Sequence, residues 1–484
     1  MPRSIAIVGR GITGLSIAFE IARQSHDTKV VVYGAPQPAG DADGTWAAPA
    51  MVNVFAEVTA RTRQSPAGRH LLDIGVTASR MWPEFAARIN EGLEGLGVSP
   101  IDVFEGTYVL ARPGKADERR NLQAVREALA DYGLDYEEVA CTPRNGTAPN
   151  DNRMLRSGAF DEGIHIPFEK FVEAEQVLAA LEAVLAARSN VTLRGHRVVA
   201  LEDGGKTVVD DAGDRLKAEA VVLANGCGFN ELAAPLGIEG LPYLLPVYGV
   251  GMTLPIRSET PVVVRTPVYG GSCGDYAIYF PNHVYVGASA LANSDKVEIT
   301  THLQRNLEFF DQDAPITGLS LKGGTRAMSQ DTYPLIGQFA EGVWAATGLF
   351  RSGITFAPYV ADLIAKEVTG AVHDYDNLFL PRRHFDQDAP PMSDLVATIV
   401  REISDSATSS GSRRAYERYR WLVKMLVYRN VWSISRKFPK GFYLNSDIVQ
   451  ACHANADTIS ILNRRFRESE RHRAVPADRQ NSAR

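Results

Sequence analysis

Three glycines placed between two apolar patterns constrain the fold of this chain more than any other feature. The segment IAIVGRGITGLSIAFEIARQ, residues 5–24, begins with four apolar residues and continues with apolar positions at spacings of three and four. This order predicts a buried strand, a tight turn and an amphipathic helix. In such a unit Gly9 forms the turn, Gly11 lets the backbone approach a pyrophosphate, and Gly14 lets the helix pack on the strand. We therefore predict a dinucleotide site, with an ordinary glycine turn as the alternative.

One expected part of a dinucleotide site is missing. An Asp or Glu normally follows the second strand, about 20 residues after the glycines, and binds the adenosine ribose. Here the apolar run KVVVY is followed by Gly34 and Ala35, and no acidic residue comes before Asp41. The ribose is therefore expected to be held by backbone groups, by Asp41 or by Asp43. This departure disfavours a simple NAD site.

Composition excludes several classes of protein. The 484 residues allow two or three domains, and 45% hydrophobic with 22% charged residues is typical of a globular protein. A net charge of −6 gives no reason to expect a nucleic-acid partner. The four cysteines, Cys141, Cys227, Cys273 and Cys452, are far apart, so neither a metal site nor a disulfide framework is expected. With no signal peptide and no transmembrane run, the prediction is a cytoplasmic protein.

The middle of the chain alternates between predicted helices and strands. Residues 171–188 predict a strong helix, followed by two strands at 191–202 and 206–213 joined through Gly204 and Gly205. A buried strand is predicted to end at Gly226. Alternating aromatic residues in the strand-rich block from about 243 to 290 favour a half-buried antiparallel sheet that could form a wall of a substrate pocket.

A second strand-to-helix unit lies far along the chain. Residues 343–347 predict a strand, and apolar positions from Ile354 to Ala365 mark one face of a helix that begins near Ser352 and Gly353. Open α/β sheets bind ligands at the carboxyl ends of their strands. Two helix N-termini from opposite ends of the chain could therefore hold the two ends of one long cofactor.

Five stretches together resemble one enzyme family. They are IVGRGITGLSIAFEIA near the N-terminus, TWAAPAM at 45–51, AVVLANGCGFNEL ending at 232, GGTRAMSQDTYPLIGQ at 323–338 and ATGLFRSGITFAPYVADLIA at 346–365. On these residues the chain resembles the FAD-dependent D-amino-acid oxidase family, above all its glycine oxidase and sarcosine oxidase members. The resemblance extends from the N-terminus to about residue 385.

The resemblance implies an α/β fold in which a Rossmann-like FAD-binding domain is interleaved with a mostly antiparallel substrate domain. We expect the FAD-binding domain to comprise residues 1–60, 160–242 and 320–385. The substrate domain would comprise 61–159 and 243–319. Residues 386–484 would then form a helical C-terminal extension.

The resemblance also implies which residues bind FAD. They are Gly9, Gly11, Ile12, Thr13, Gly14, Thr45, Trp46, Ala47, Val198, Gly226, Gly348, Arg351, Ser352, Gly353, Ile354 and Thr355. Sarcosine oxidases that bind FAD covalently use a cysteine close to the position of Arg326. Since residues 323–338 contain no cysteine, noncovalent FAD is expected.

Arg326 matches the glycine oxidase arginine that pairs with the substrate carboxylate. The chemistry supports this match, because a planar guanidinium can donate two parallel hydrogen bonds to a carboxylate. The alternatives for Arg326 are a pair with Asp331 or a surface position. Arg351 matches a second arginine of the family at the flavin edge, with contact to backbone or solvent as its alternative.

The carboxylate-binding tyrosine of the family has no direct match. Its position falls on Ile278, between Tyr276 and Tyr279. Either tyrosine could take over the role through a shift of register, or both could pack within the sheet. The segment containing Tyr248 and Gly249 also departs from the family pattern, so the substrate need not be glycine.

The resemblance implies amine oxidation. The Cα hydride of an amino acid or N-substituted glycine would pass to flavin N5, the imine would hydrolyse, and O2 would reoxidise the flavin to give H2O2. Two alternatives stay open: a dehydrogenase that passes electrons to a quinone or carrier protein, and a non-catalytic flavin-binding interaction protein. The substrate could be free or tethered to a carrier, and the chain could be a monomer or a homo-oligomer.

The C-terminal extension has its own composition. DQDAPP at 386–391 indicates a boundary, and SDSATSSGS at 404–412 predicts a flexible break. Residues 413–434 predict a basic, aromatic-rich helix, for which a membrane surface, an acidic carrier, RNA, a helical cap or a dimer contact are the alternatives. The last twenty residues are expected to be disordered at their end.

Overall fold

The computed structural model describes most of the chain. The described residues are 4–36, 44–60, 62–64, 66–139, 160–268, 274–287, 317–383, 392–409 and 413–438, with a few short pieces between 444 and 467. Asp41 and Asp43, named above as ribose ligands, lie outside these residues, and so does the boundary segment 386–391.

A six-stranded sheet forms the centre of the first layer. Its strands, in spatial order, are β17 (Leu335–Ala340), β18 (Val343–Thr347), β11 (Ala220–Leu223), β1 (Ser4–Val8), β2 (Lys29–Tyr33) and β7 (Val191–Arg194). All neighbours run parallel except β17, which is antiparallel to β18. The strands are short apolar runs because both faces of this sheet are covered.

Helices cover one face of this sheet and a small sheet covers the other. The helices of the body are α1 (Ile12–Gln24), α2 (Pro66–Glu91), α3 (Ala116–Asp131), α4 (Ala174–Ala186), α5 (Phe229–Ala233) and α6 (Gly353–Thr369). Of these, α1, α2, α4 and α6 cover the first face, whereas α5 packs on the opposite face and α3 belongs to a separate apolar cluster. Alternate residues of β1 divide between the faces: Ile5 and Ile7 pack with α1, α4 and α6, whereas Ala6 and Val8 face the opposite layer. That layer contains β8 (Val198–Glu202), β9 (Thr207–Asp210) and β10 (Arg215–Lys217). The predicted Rossmann-like α/β fold is confirmed.

A larger sheet stands beside this unit. Its strands, in order, are β16 (Ser320–Ser329), β12 (Leu244–Leu254), β15 (Val284–Gly287), β14 (Tyr276–Tyr279), β13 (Val262–Arg265), β4 (Phe104–Ala111), β6 (Glu162–Phe171) and β3 (Met51–Val52), with β5 (Glu137–Val139) also paired to β6. Among these pairs only β13 and β4 run parallel. The mostly antiparallel block predicted for residues 243–290 therefore exists.

The sheets correct two details of the sequence analysis. The stretch 191–202 is not one strand, because Gly195 and the two residues after it separate β7 in the six-stranded sheet from β8 in the three-stranded sheet. In addition, β3, β6 and β16 hydrogen-bond within the larger sheet although they fall in ranges assigned to the FAD-binding domain. Backbone pairing, rather than position along the chain, decides which sheet each strand joins. The exact domain boundaries stay a prediction.

Two helices of the C-terminal extension pack together on the body. They are α7 (Met392–Ser409) and α8 (Arg413–Ser435). Leu395, Val396 and Ile399 of α7 share a buried cluster with Val431 of α8 and Leu245 of β12. The predicted flexible break at 404–412 is wrong for 404–409, which continue α7. The apolar face of α7 packs on the body and supports helix through a Ser-rich stretch whose own propensity is modest.

None of the helices in the described part of the chain combines the length and apolar character that a membrane crossing requires. The longest described helix, α2, carries alternating buried and exposed residues along its length. Its buried face lies against α6, so its apolar residues serve the core.

Trp82 of α2 joins two helices through one N–H group. Its side chain is fully buried, and its indole Nε1 lies 3.1 Å from the carbonyl oxygen of Ile354 and 3.2 Å from that of Thr355. Both carbonyls belong to the first turn of α6. The start of α6 is therefore held in place by a hydrogen bond from a neighbouring helix as well as by packing.

We expect Trp82→Phe to lower the apparent free energy of unfolding by about 1–3 kcal/mol, because a buried hydrogen bond is lost and the smaller phenyl ring leaves part of the indole site empty. Amide hydrogen exchange should rise in the first turn of α6. Trp344→Phe is the control, since its indole N–H bonds Glu367 near the end of α6, 2.9 Å away. If both variants exchange equally at Gly353–Thr355, Trp82 does not fix this turn.

Candidate functional site

A cavity of about 1080 Å³ opens at the carboxyl ends of the central parallel strands. Gly9 follows β1, Gly34 follows β2, Ala224 follows β11 and Gly348 follows β18, and all four line it. From there the cavity runs to the wall of the larger sheet at β12 and β16. Its volume is sufficient for an extended cofactor together with a small substrate.

Most of the predicted cofactor residues come together on this cavity. Those that line it are Gly9, Gly11, Ile12, Thr13, Thr45, Ala47, Val198, Gly226, Gly348, Arg351, Ser352, Gly353, Ile354 and Thr355. Gly14 and Trp46 do not line it. Trp46 instead borders a smaller cavity, where the ammonium of Lys322 lies 5.1 Å from its ring centroid.

The glycine turn is shaped by close contact with β11. Gly9 has a φ of +122°, and a Cβ there would lie 2.3 Å from the carbonyl oxygen of Ala224. A Cβ on Gly14 would lie 2.0 Å from the carbonyl oxygen of Gly9, so Gly14 packs behind the turn as the motif predicts. The Oγ1 of Thr45 accepts a hydrogen bond from the backbone N–H of Ile12 at 3.2 Å. The turn therefore leaves its backbone open toward the cavity.

Two arginines lie near the end of β2, where a dinucleotide site usually has an acidic residue. Tyr33 is buried beside the guanidinium of Arg194, whose Cζ lies 5.6 Å from the ring centroid. A Cβ on Gly34 would lie 2.8 Å from the Cβ of Arg10. Arg10 lines the cavity and donates from Nε to Glu182 at 2.6 Å. The described residues thus offer backbone groups and Arg10 at this end of the cavity.

A second helix N-terminus meets the same cavity. Residues 351–356 line it, and α6 begins at Gly353 with no acidic residue in its first turn. The free N–H groups of a helix start carry a partial positive charge. Since α1 and α6 both begin at this cavity, the two helix starts can bind negative charge at separate points along one ligand.

Arg326 of β16 stands where the cavity reaches the larger sheet. A Cβ on Gly249 of the neighbouring strand would lie 2.6 Å from its Nη2, so a glycine makes room for the guanidinium. Phe350 packs beside it, with its ring centroid 5.6 Å from Cζ of Arg326 and 5.5 Å from Cζ of Arg351. The carboxylate of Asp331 instead accepts two hydrogen bonds from Arg383, at 2.5 and 2.7 Å. Asp331 is thus engaged by Arg383, and the carboxylate role of Arg326 stays a prediction.

Only one of the two predicted tyrosines reaches the cavity. Tyr276 lines it, whereas Tyr279 lies on the opposite face of β14 in an apolar cluster, where burial raises the pKa of its hydroxyl. Residues three apart on a strand point to opposite faces, which is why the two cannot act together.

Sequence analysis missed Tyr285, which pairs with Ile278 in the β14–β15 register. Its ring lies parallel to that of Tyr276 with centroids 6.4 Å apart, and its hydroxyl donates to the Ala47 carbonyl at 2.8 Å. Burial raises the pKa of Tyr285, so its hydroxyl stays neutral. The pairing of Tyr285 with Ile278 across β14 and β15 is the feature that could have identified Tyr285.

A carboxylate that sequence analysis also missed joins the arginines near the substrate end. Glu57 lines the cavity and accepts a hydrogen bond from Nη1 of the fully buried Arg265 at 2.6 Å. Its other oxygen lies 3.6 Å from Nη2 of Arg351. Burial alone would raise the pKa of Glu57, but the guanidinium groups of Arg265 and Arg351 outweigh it and hold this pKa below its usual value.

Glu169 of β6 fixes the position of the loop that leads into Glu57. One of its carboxylate oxygens accepts three backbone N–H bonds, from Val54, Phe55 and Ala56, at 2.6 to 3.0 Å. These residues lead directly into Glu57. Burial raises the pKa of Glu169 although the three N–H donors and Arg265 oppose this rise. A loop that looks featureless in sequence is thereby tied to the larger sheet.

The C-terminal extension also contributes to the cavity. Thr398 of α7 lines it, together with Asp117, Arg120 and Asn121 at the start of α3. Helices α3 and α7 are in contact, and the cluster that holds α7 includes the partly buried Phe350. The wall beyond Arg326 therefore consists of groups from two regions that are distant in sequence.

Comparison with known proteins agrees with this arrangement. The sequence pattern of the FAD dependent oxidoreductase family, DAO, matches residues 4–367. The chain belongs to this family. Membership confirms the resemblance stated from the motifs, and with it FAD as the cofactor and an oxidoreductase as the class of enzyme. Helices α7 and α8 lie beyond the residues that match the family.

Three relatives illustrate the range of this family. The glycine oxidase of Geobacillus kaustophilus is 24% identical over 380 residues, covering 75% of this chain and 93% of that protein. A solved glycine oxidase structure from that organism matches with a TM-score of 0.65 at 22% identity, covering 79% and 99% of the two chains. Iminodiacetate oxidase from Chelativorans sp. matches with a TM-score of 0.63 at 21% identity, covering 78% and 100%. A D-amino acid dehydrogenase of Methylobacterium sp. is 24% identical over 421 residues, covering 76% and 95%.

The residues of the cavity fit FAD. The close approach of Gly9 to β11 leaves no room for a side chain, so the backbone faces the ligand directly. Two helix starts and Arg10 supply positive charge, and the cavity extends past them to Arg326. These groups would hold the pyrophosphate and the flavin ring system at opposite ends of a single path.

We expect Glu57→Gln to lower the free energy of unfolding by about 3 kcal/mol at neutral pH, because buried Arg265 loses its charged partner. The pKa of Glu57 is lowered on folding, so its stabilisation is present above the usual value of 4.5 and is lost as the pH falls through the folded value. Denaturant unfolding from about pH 7 to about pH 3 should show the two proteins converging toward acid.

Glu84→Gln is the matched control for this prediction. Glu84 pairs with Arg88 on the surface of α2 and is 79% exposed, so its loss should change stability by less than about 1 kcal/mol. A difference between wild type and Glu57→Gln that stays constant down to the lowest pH would contradict the ionised pair.

Proposed function

We propose that this chain is an FAD-dependent oxidase of an amino acid or an N-substituted glycine. The observation that carries the proposal is the Arg326 guanidinium on the cavity wall, given space by Gly249 and lying beside the start of α6. A guanidinium in this place can hold a carboxylate through two charge-assisted hydrogen bonds. Two relatives, a glycine oxidase and an iminodiacetate oxidase, support a carboxylate-bearing amine as the substrate.

The protein contributes position and electrostatics to this reaction. The chemistry that bound FAD supplies is acceptance of a hydride from the substrate Cα at N5. Arg326 orients the substrate by its carboxylate, so that one Cα–H bond points at the cofactor. The start of α6 stabilises negative charge that develops on the ring system. An amine that arrives neutral needs no general base, and the imine product is hydrolysed by water.

The wall around Arg326 favours a small group at Cα and a polar group on the nitrogen. Tyr276 and Tyr285 lie side by side on the larger sheet and narrow the cavity there. Toward α3 and α7 the lining becomes polar through Arg120 and Thr398. An N-substituted glycine, whether free or tethered to a carrier, satisfies both conditions. Cys227 also lines the cavity. We nevertheless propose noncovalent FAD, because residues 323–338 contain no cysteine.

We expect Arg326→Ala to keep bound FAD but to slow anaerobic flavin reduction by at least about 100-fold, because the carboxylate loses its anchor. The measurement is stopped-flow absorbance with glycine, sarcosine, iminodiacetate, longer N-alkylglycines and D-amino acids. Gly249→Ala should cause a smaller loss, since its Cβ would meet Nη2 of Arg326 and displace the guanidinium.

Lys322→Ala is the control on the same strand. Its ammonium pairs with Glu175 and lies over Trp46, away from the cavity of Arg326. It should leave flavin reduction unchanged. Wild-type rates in Arg326→Ala would refute the carboxylate anchor. If the wild-type protein binds flavin but no amine reduces that flavin, the non-catalytic flavin-binding protein is favoured instead.

A second candidate is an amine dehydrogenase of the same fold, which the likeness to a D-amino acid dehydrogenase favours. The proposals differ in what reoxidises the flavin. For an oxidase we expect air-saturated buffer to reoxidise the substrate-reduced protein with stoichiometric release of H2O2. Slow reaction with O2 but rapid reaction with a soluble quinone would establish the dehydrogenase. Both measurements use the same reduced sample.

A further inference from the structure

Helix α8 presents both buried and exposed apolar side chains. One face is buried in the extension and includes Val427, Val431 and Ile434. Tyr419 and Leu426 are exposed on one side of this face. The other side carries Trp421, Met425, Tyr428 and Trp432, which are 45 to 65% exposed. We call these four residues the aromatic stripe. A helix that only packed on the body would need apolar residues on its buried face alone.

The aromatic stripe forms a continuous line on the outside of the protein. Its spacing of four, three and four residues keeps the side chains on one side of the helix. From Trp421 to Trp432 the line is about 16 Å long at 1.5 Å per residue. Contiguous exposed apolar surface of this kind marks an interaction site.

The charges beside the aromatic stripe are predominantly positive, and Glu417, one turn before Trp421, is the single acidic residue of α8. Residues 418–438 contain six Lys and Arg and no Asp or Glu. Helical spacing places Arg418, Arg429 and Arg436 along one edge of the stripe and Lys424 along the other. The guanidinium of Arg436 lies 4.7 Å from the ring centroid of Trp432. The occupant must therefore be apolar at its contact surface and negatively charged around it.

Two other occupants fit this surface poorly. A second copy related by a twofold axis would bring the same cations together around the stripe, and Glu417 is the single acidic residue of α8 against its six Lys and Arg. Single-stranded RNA needs aromatic rings on which bases can stack within a basic groove. Here the stripe lies on a convex helix, and Met425 interrupts the rings.

We propose that α8 binds the surface of an anionic lipid bilayer. The helix would lie parallel to the membrane plane, with the aromatic stripe in the interface and the flanking cations among the lipid phosphates and carboxylates. Trp and Tyr favour this depth because their rings are amphipathic. Basic helices with an apolar face bind there without crossing the bilayer. The proposal concerns α8 alone and does not depend on which amine the enzyme oxidises.

The test uses the full-length, FAD-loaded protein in vesicle flotation. We expect at least about tenfold stronger binding to phosphatidylcholine vesicles containing phosphatidylserine than to phosphatidylcholine alone. Binding should weaken when salt rises from about 0.1 M to about 1 M, which shortens the screening length from about 10 Å to about 3 Å. The tryptophan emission should shift to shorter wavelength in the presence of the anionic vesicles.

Two variants separate the stripe from the charges. Trp421→Ser with Trp432→Ser should abolish the emission shift and reduce binding at least about tenfold. Arg429→Glu with Arg436→Glu should remove the preference for phosphatidylserine. Val372→Ser is the control, because Val372 is 97% exposed but lies outside α8. FAD content should stay at the wild-type level in all variants, which shows that they are folded.

Several results would overturn the proposal. Equal binding to both vesicle types, or unchanged binding in the double tryptophan variant, would exclude α8 as an anionic lipid site. Absence of vesicle binding, together with an oligomer that Trp421→Ser dissociates, would assign the stripe to a second copy. Loss of substrate oxidation with intact vesicle binding would contradict the proposed function and leave this inference standing.

Discussion

The close contact between the turn after β1 and the end of β11 is the constraint on which the cofactor cavity depends. Gly9 approaches the carbonyl of Ala224 so closely that any side chain would have to displace the neighbouring strand. This contact keeps backbone rather than side chain at the carboxyl edge of the sheet. It also directs α1 toward the same cavity that α6 reaches from the far end of the chain, so two helix starts act on one ligand.

Charge pairing connects the cofactor unit to the larger sheet. Arg265 is fully buried in β13, and its partner Glu57 belongs to a loop that Glu169 holds through three backbone bonds. Glu57 in turn approaches Arg351 at the start of α6. A buried cation without this carboxylate would be costly, so the network fixes the distance between the wall that carries Arg326 and the helix start that faces it.

The C-terminal helices add to the family architecture beyond the matched residues. Thr398 of α7 reaches the cavity, while α8 carries exposed aromatic residues on its outer side. One helix of the extension therefore lines the cavity, and the next forms a separate surface. The matched family residues end before both helices, which explains why the ancestral pattern gives no information about either.

Local patterns in the sequence determined the strand-turn-helix unit at Gly9 and the start of α6 near Gly353, because each depends on neighbouring residues, and a matched motif singled out Arg326, which lines the cavity. The tertiary structure alone decided that Tyr276 and not Tyr279 lines the cavity, and that Glu57 meets two arginines. The face to which a side chain points depends on strand register. The ion pairs of Glu57 join residues about 200 or more positions apart. No local spacing encodes such contacts, since they form only when separate sheets pack together.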